Sequence, residues 1–152
     1  MLVGASSIVV VREATTADLG RIVDMGVRFG QDASYRGRIH ISPGSVAQFA
    51  QRLMASPDGA VYVAERAGVV VGMIALTVFE HPMSGERIVV ELAWWVEPEA
   101  RGCGLKLLQQ AETWGRAQGA TRLQMIAPTP VVERLYQRLG FEPVERTYQR
   151  GL

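Results

Sequence analysis

The 152-residue chain has one cysteine, Cys103, and two histidines, His40 and His81. A single thiol excludes an internal disulfide and any zinc site built on several thiolates. It fits a reducing compartment, so a cytoplasmic location is expected. The histidines fall in loop-like segments without metal-ligand spacing, and no metal is expected. Charge of one sign is also missing: 16 Lys and Arg against 15 Asp and Glu leave a net charge of +1. Nothing draws the chain as a whole to nucleic acid or an anionic membrane. Residues 1–11 are mildly apolar but lack a basic leader, are too short to cross a bilayer and run straight into Arg12-Glu13. Residues 1–7 are expected to be a disordered lead. There is no internal repeat, low-complexity tract or linker.

What remains is an ordinary globular balance, 48% hydrophobic and 20% charged, with a length that favours one domain, 1–152. Hydrophobic periodicity predicts strands over 8–12, 60–64, 69–79, 87–96, 123–127 and 141–148. It predicts helices over 16–29, with Thr16 as cap, and over 45–54, 104–118 and 132–139. Leu105, Leu108, Ala111 and Trp114 are the expected buried stripe of the third helix. Strand 87–96 is apolar on both faces and belongs inside the sheet. The order β-α-α-β-β-β-α-β-α-β predicts an α/β (α+β) fold. Its sheet is mixed and largely antiparallel, with about six strands and about four helices.

The run Pro98-Glu99-Ala100-Arg101-Gly102-Cys103-Gly104-Leu105-Lys106 joins a strand to a helix. Glycines let a ligand approach the backbone, and a helix start offers free N–H groups and a positive dipole end. Arg101 and Lys106 add positive charge. These features suit a phosphate group; a plain tight turn is the alternative.

The same run, Val96-x-Pro-x-x-Arg101-Gly102-x-Gly104 with Leu107-Leu108, resembles the GNAT superfamily of acyl-CoA-dependent N-acyltransferases. So do Val10-Val11-Arg12-Glu13-Ala14 with Asp18-Leu19, and Leu135-Tyr136-Gln137-Arg138-Leu139-Gly140-Phe141. The Trp94-Trp95 strand also resembles GNAT-like proteins of bacteriophage genomes. The resemblance implies acetyl-CoA (CoA) as cosubstrate and an amine acceptor, either a small molecule or a peptide or protein amine; homodimers are frequent in the family. Backbone N–H groups of Gly102, Cys103, Gly104, Leu105 and Lys106, with Arg101, would hold the pyrophosphate. The strand edge at Trp94, Trp95 and Val96 would hold the pantetheine arm. Thr129 stands where the family has a cofactor-contacting Asn, and Gln124 where the branch that modifies protein N-termini has Glu. The loop departs from the family pattern as well: one register puts Lys106 in a small-residue position, the other puts Glu99 first.

Tyr136 occupies the family's general-acid position, and a phenol is protonated at neutral pH. The alternative is a core tyrosine. Glu91 lies in an apolar strand, where burial would raise its pKa and make it a base. The alternative is a carboxylate in solvent or paired with Arg87 or Arg122. Cys103 as an acyl carrier has no nearby histidine, so a small loop residue is the simpler reading. The pair Trp94-Trp95 puts one indole on each sheet face. Asp32, Tyr35, Arg36 and Arg38 sit where the family builds its acceptor site. The expected activity is acetyl transfer to a primary amine by direct attack in a ternary complex. The alternative is a non-catalytic CoA-binding or structural module on the same fold.

Overall fold

The computed structural model describes residues 8–32 and 35–152; the expected disordered lead, 1–7, lies outside them. The elements are β1 (Val9–Glu13), α1 (Leu19–Asp32), α2 (Pro43–Ala55), β2 (Gly59–Arg66), β3 (Val69–Glu80), β4 (Arg87–Val96), α3 (Gly104–Ala117), β5 (Arg122–Gln124) and α4 (Pro130–Arg138). Short 3-10 segments, Thr16–Asp18 and Pro98–Cys103, lead into α1 and α3. The sheet has five strands in chain order, antiparallel except for the β4–β5 pair.

Local chemistry explains most boundaries. The first helical turn is capped at Thr15 rather than Thr16. The Thr15 N–H donates to the Asp18 carboxylate at 2.8 Å. Asp18 also takes both Arg12 Nη atoms, at 2.8 and 2.9 Å, tying the entry of α1 to β1. These bonds hold the Asp18 carboxyl down at about 2, below the usual carboxylate range. α2 begins at Pro43, whose fixed φ suits a first helical position, after Ser42 accepts the Ser45 N–H at 3.2 Å. Gly26 lets α1 approach α2, because a Cβ there would stand 2.6 Å from Val46 Cγ1.

The sheet is covered on both faces. On one, Ile22 and Met25 of α1 and Val46, Ala50 and Leu53 of α2 pack on Val61, Val63 and Met73. On the other, Leu107, Ala111 and Trp114 of α3 pack on Ile74, Leu76 and Val89. Each such aliphatic side chain contributes roughly 1.5–3 kcal/mol through burial. The stripe of α3 differs from expectation at one position: Leu105 is 47% exposed, while Leu107 is fully buried.

The expected strand over 141–148 does not form. Residues 142–152 are exposed and in no strand or helix. Pro143 lacks a ladder donor, and polar and charged residues dominate the segment, so little apolar surface rewards pairing. The sheet therefore has five strands instead of about six, with β5, three residues long, at its edge.

Candidate active site

The geometry starts from an irregularity in β4. Leu76 pairs with Glu91 and Ala75 with Ala93, so Leu92 is an extra residue, a bulge. On the other side, β5 pairs with β4 only from Ile88 to Val90. Beyond Val90, no strand among the described residues pairs with that edge of β4, while its other edge stays paired with β3 as far as Val96.

Glu91 stands where the pairing stops. It is 3% exposed and has no salt-bridge partner among the described residues. Arg87 is turned away, donating to the Gln118 carbonyl at 2.7 Å. The one hydrogen bond Glu91 has among the described residues is accepted by Oε2 from the Ile126 N–H at 3.1 Å. Burial pushes its carboxyl up to about 7, against the weaker opposing pull of that bond. The pairing with Arg87 or Arg122 does not occur.

Tyr136, on α4, reaches the same residue. Its hydroxyl donates to the Ile126 carbonyl at 3.2 Å. Burial, reinforced by the nearby Glu91 charge, raises the phenol above its ordinary value, so it stays protonated. Its ring stacks on Trp94 (centroids 6.0 Å apart, 14° between planes) and meets Phe141 at 5.4 Å. Trp94 in turn abuts the first turn of α3. A Cβ on Gly104 would lie 3.1 Å from Trp94 Cζ2, so only glycine fits without displacing the indole. Among the described residues, the buried Trp94 indole N–H has no partner. Such a group calls for an acceptor that the described residues do not supply.

The remaining expected contacts differ in what they leave free for a ligand. Arg101 and Gly102 are exposed at the start of α3, and nothing crowds Gly102. Cys103 is different: its side chain lies in the core with Ala100 and Leu107, which leaves only its backbone for a ligand. The Gly104 N–H already donates to the Arg101 carbonyl. Lys106 Nζ donates to the Val9 carbonyl at 3.2 Å, and the Thr129 hydroxyl caps α4 by accepting the Val132 N–H at 3.4 Å. Trp95 lies on the opposite face from Trp94, as alternation requires, with the Arg28 guanidinium over its ring. Tyr35 is half-buried against Phe29, Arg36 and Arg38 are exposed, and the side chain of Asp32 lies outside the described set.

Sequence reasoning missed two participants. Ile126 acts only through its backbone, which leaves no mark in residue type. Glu97, 4% exposed, is held by Arg28 and Arg21 of α1, with Arg21 Nη2 at 3.1 Å. Hydrogen bonds from Arg28 foremost keep its carboxyl below the usual range. The signal was there: a carboxylate directly after an apolar strand, and two arginines, Arg21 and Arg28, two turns apart on one face of α1.

The bulged strand, the open edge and the glycine turn under an indole are one arrangement, and residues 25–141 match the model of the Acetyltransferase (GNAT) family. The chain belongs to the GNAT family. Its fold is similar to that of the aminoglycoside N-acetyltransferase AAC(6')-Iy in complex with CoA, at 18% identity, TM-score 0.81 and 99% of each chain covered. It is also similar to a predicted acetyltransferase with acetyl-CoA from Clostridium acetobutylicum (16% identity, TM-score 0.78, 95% of this chain and 96% of that one). A transcriptional regulator from Bacillus halodurans C-125 has the same fold (23% identity, TM-score 0.80, 95% and 100% covered). No curated protein sequence matches the chain. Among the described residues of this GNAT chain, no helix is long and apolar enough to cross a membrane.

Proposed function

We propose that this GNAT protein transfers an acetyl group from acetyl-CoA to a primary amine by direct attack. The observation that carries the reading is the convergence of Glu91 and Tyr136 on Ile126, beside the open edge of β4. Acetyl-CoA supplies the activated thioester. The chain's own groups fit it: the edge of β4 that no described strand pairs with beyond Val90, an uncrowded Gly102 with Arg101 at a helix start, and the buried Trp94 N–H, without a partner among the described residues. Structural neighbours described with CoA and acetyl-CoA support the same cosubstrate. The neighbour named as an aminoglycoside N-acetyltransferase supports a small amine as acceptor.

The amine must be neutral to attack, and the departing sulphur must gain a proton. Glu91, poised near 7, takes the proton the amine sheds as the N–C bond forms. Tyr136 gives its proton to the sulphur as the C–S bond breaks. The two steps assist each other. The Glu91 charge is one of the causes that hold the Tyr136 proton, so neutralising Glu91 makes the phenol a better donor. Solvent returns the proton from Glu91 to Tyr136, leaving amide and free thiol.

The test is thermal stabilisation by acetyl-CoA and by CoA, followed by thiol release with a panel of amines. Stabilisation with turnover that falls in Tyr136→Phe is the expected result. Stabilisation without turnover on any amine would favour the non-catalytic module. No stabilisation at millimolar ligand would sink cosubstrate binding itself.

A further inference from the structure

β4 and β5 run as paired strands only as far as Val90 and Gln124. Ile126 lies beyond the pairing, yet neither of its backbone hydrogen-bonding groups is idle. Its N–H is taken by Glu91 from β4 and its carbonyl by Tyr136 from α4. Two side chains thus hold, at side-chain distance, a piece of backbone that a ladder would hold much closer. Glu91 is the residue directly after the last paired position of β4 and directly before the Leu92 bulge. It is almost fully buried itself, while Ile126 is 44% exposed, so the bond lies at the boundary between core and surface.

We propose that Glu91 is a positioning residue as well as a base. Its carboxyl props the segment after β5 away from β4, keeps the cosubstrate cleft open and, through Ile126, aims the Tyr136 hydroxyl over Trp94. This rests on the acetyl-transfer reading for its consequence, but not for its geometry. The prop needs an acceptor oxygen at the reach of a glutamate side chain. It does not need charge, because a protonated carboxyl still offers a carbonyl oxygen. Without that oxygen, the Ile126 N–H loses the one partner it has among the described residues. The segment must then zip toward β4, closing the cleft, or swing to water, carrying off the acceptor of Tyr136.

This separates propping from proton transfer by substitution. Glu91→Gln keeps an acceptor of the right length and abolishes the base. Glu91→Leu removes the acceptor, and Glu91→Asp keeps the charge but is one methylene too short. The experiment measures CoA affinity and amide hydrogen exchange at Ile126 in all three variants and the unsubstituted protein. Glu91→Gln is expected to bind CoA within about twofold of the unsubstituted protein, with Ile126 still protected. Glu91→Leu and Glu91→Asp are expected to bind roughly 10-fold more weakly, with Ile126 exchange faster by a similar factor, as the loss of one hydrogen bond implies. If Glu91→Leu fails to fold, Glu91→Asp carries the test. Normal CoA binding and a protected Ile126 in Glu91→Asp would overturn the proposal, as would Glu91→Gln behaving like Glu91→Asp. If the unsubstituted protein binds no CoA, acetyl transfer fails instead, and Ile126 exchange alone decides whether the prop exists.

Discussion

Glu91 and Glu97 belong to one stretch of chain, the first within β4 and the second immediately after it, and both are almost completely buried. Their chemistry is opposite. Glu97 faces α1, where Arg28 and Arg21 keep it ionised, and its two arginines leave it no proton to exchange near neutral pH. Glu91 faces α3 and α4, has one backbone N–H for company and is lifted to about 7. Burial alone therefore does not make a carboxylate useful. Burial with cations builds a rivet; burial without them leaves a group that can gain or lose a proton under working conditions. The same division runs through the whole sheet: the α1–α2 face is held by ion pairs and close packing, and the α3–α4 face carries the reactive groups.

The contrast can be broken most sharply on the reactive face. Tyr136→Phe should lower the acetylation rate roughly 1,000-fold while CoA binding persists, because the phenol is the only proposed acid. A rate within a few-fold of the unsubstituted enzyme, measured by thiol release, would remove Tyr136 from the chemistry. Glu91→Gln should cost roughly 100-fold at pH above about 7. It should also erase the rise in rate that the unsubstituted enzyme shows as Glu91 loses its proton. A surviving rise through that range would assign it to another group.

The rivet face should respond in stability and not in pH profile. Glu97→Gln is expected to cost about 1–3 kcal/mol in chemical denaturation, discounted because its arginines are more than a third exposed. Its rate profile near pH 7 should be unchanged; a shifted profile would erase the distinction between the two carboxylates. Gly104→Ala should destabilise by about 1 kcal/mol, the mild end of overpacking, since the new methyl meets the Trp94 ring. Its readout is a lower melting temperature with altered Trp fluorescence, and Gly102→Ala, in open space, serves as the silent control.

A separate effect, read in stability against pH, is the linkage of Glu91 to folding. Its carboxyl rises from 4.5 to about 7 on burial, so between those values the folded protein holds more proton than the unfolded chain. Stability then falls as pH climbs through that window. Glu91→Gln lacks this loss, so its stability relative to the unsubstituted protein should increase from about pH 5 to about pH 8. Asp18, lowered by Arg12, has the opposite sign. Its contribution is full above the usual carboxylate range and disappears as pH falls toward about 2. Denaturation midpoints across pH would separate the two.

Much of this was written in residue order. The period-two runs around Val61, Ile74 and Val89, the helical stripe through Leu108, Ala111 and Trp114, and the glycines bounding α3 and α4 are local patterns. Local sterics and burial decide them wherever the chain goes. Tyr136 before Gly140-Phe141 and Glu91 in an apolar strand were visible for the same reason: each residue is unusual for its own neighbourhood. The strand expected over 141–148 failed because pairing needs a partner edge and a face to bury, and neither is a property of the segment itself.

Sequence by itself determined most element types and the family, because those follow from periodicity and from residues close together in the chain. Only the tertiary structure decided which buried glutamate keeps its proton near neutral pH. That depends on Arg28 and Arg21 reaching Glu97 across the packed α1 face, and on no cation among the described residues reaching Glu91. It also brought Tyr136 to Ile126, because a hydrogen bond between two elements exists only once both are docked on the sheet.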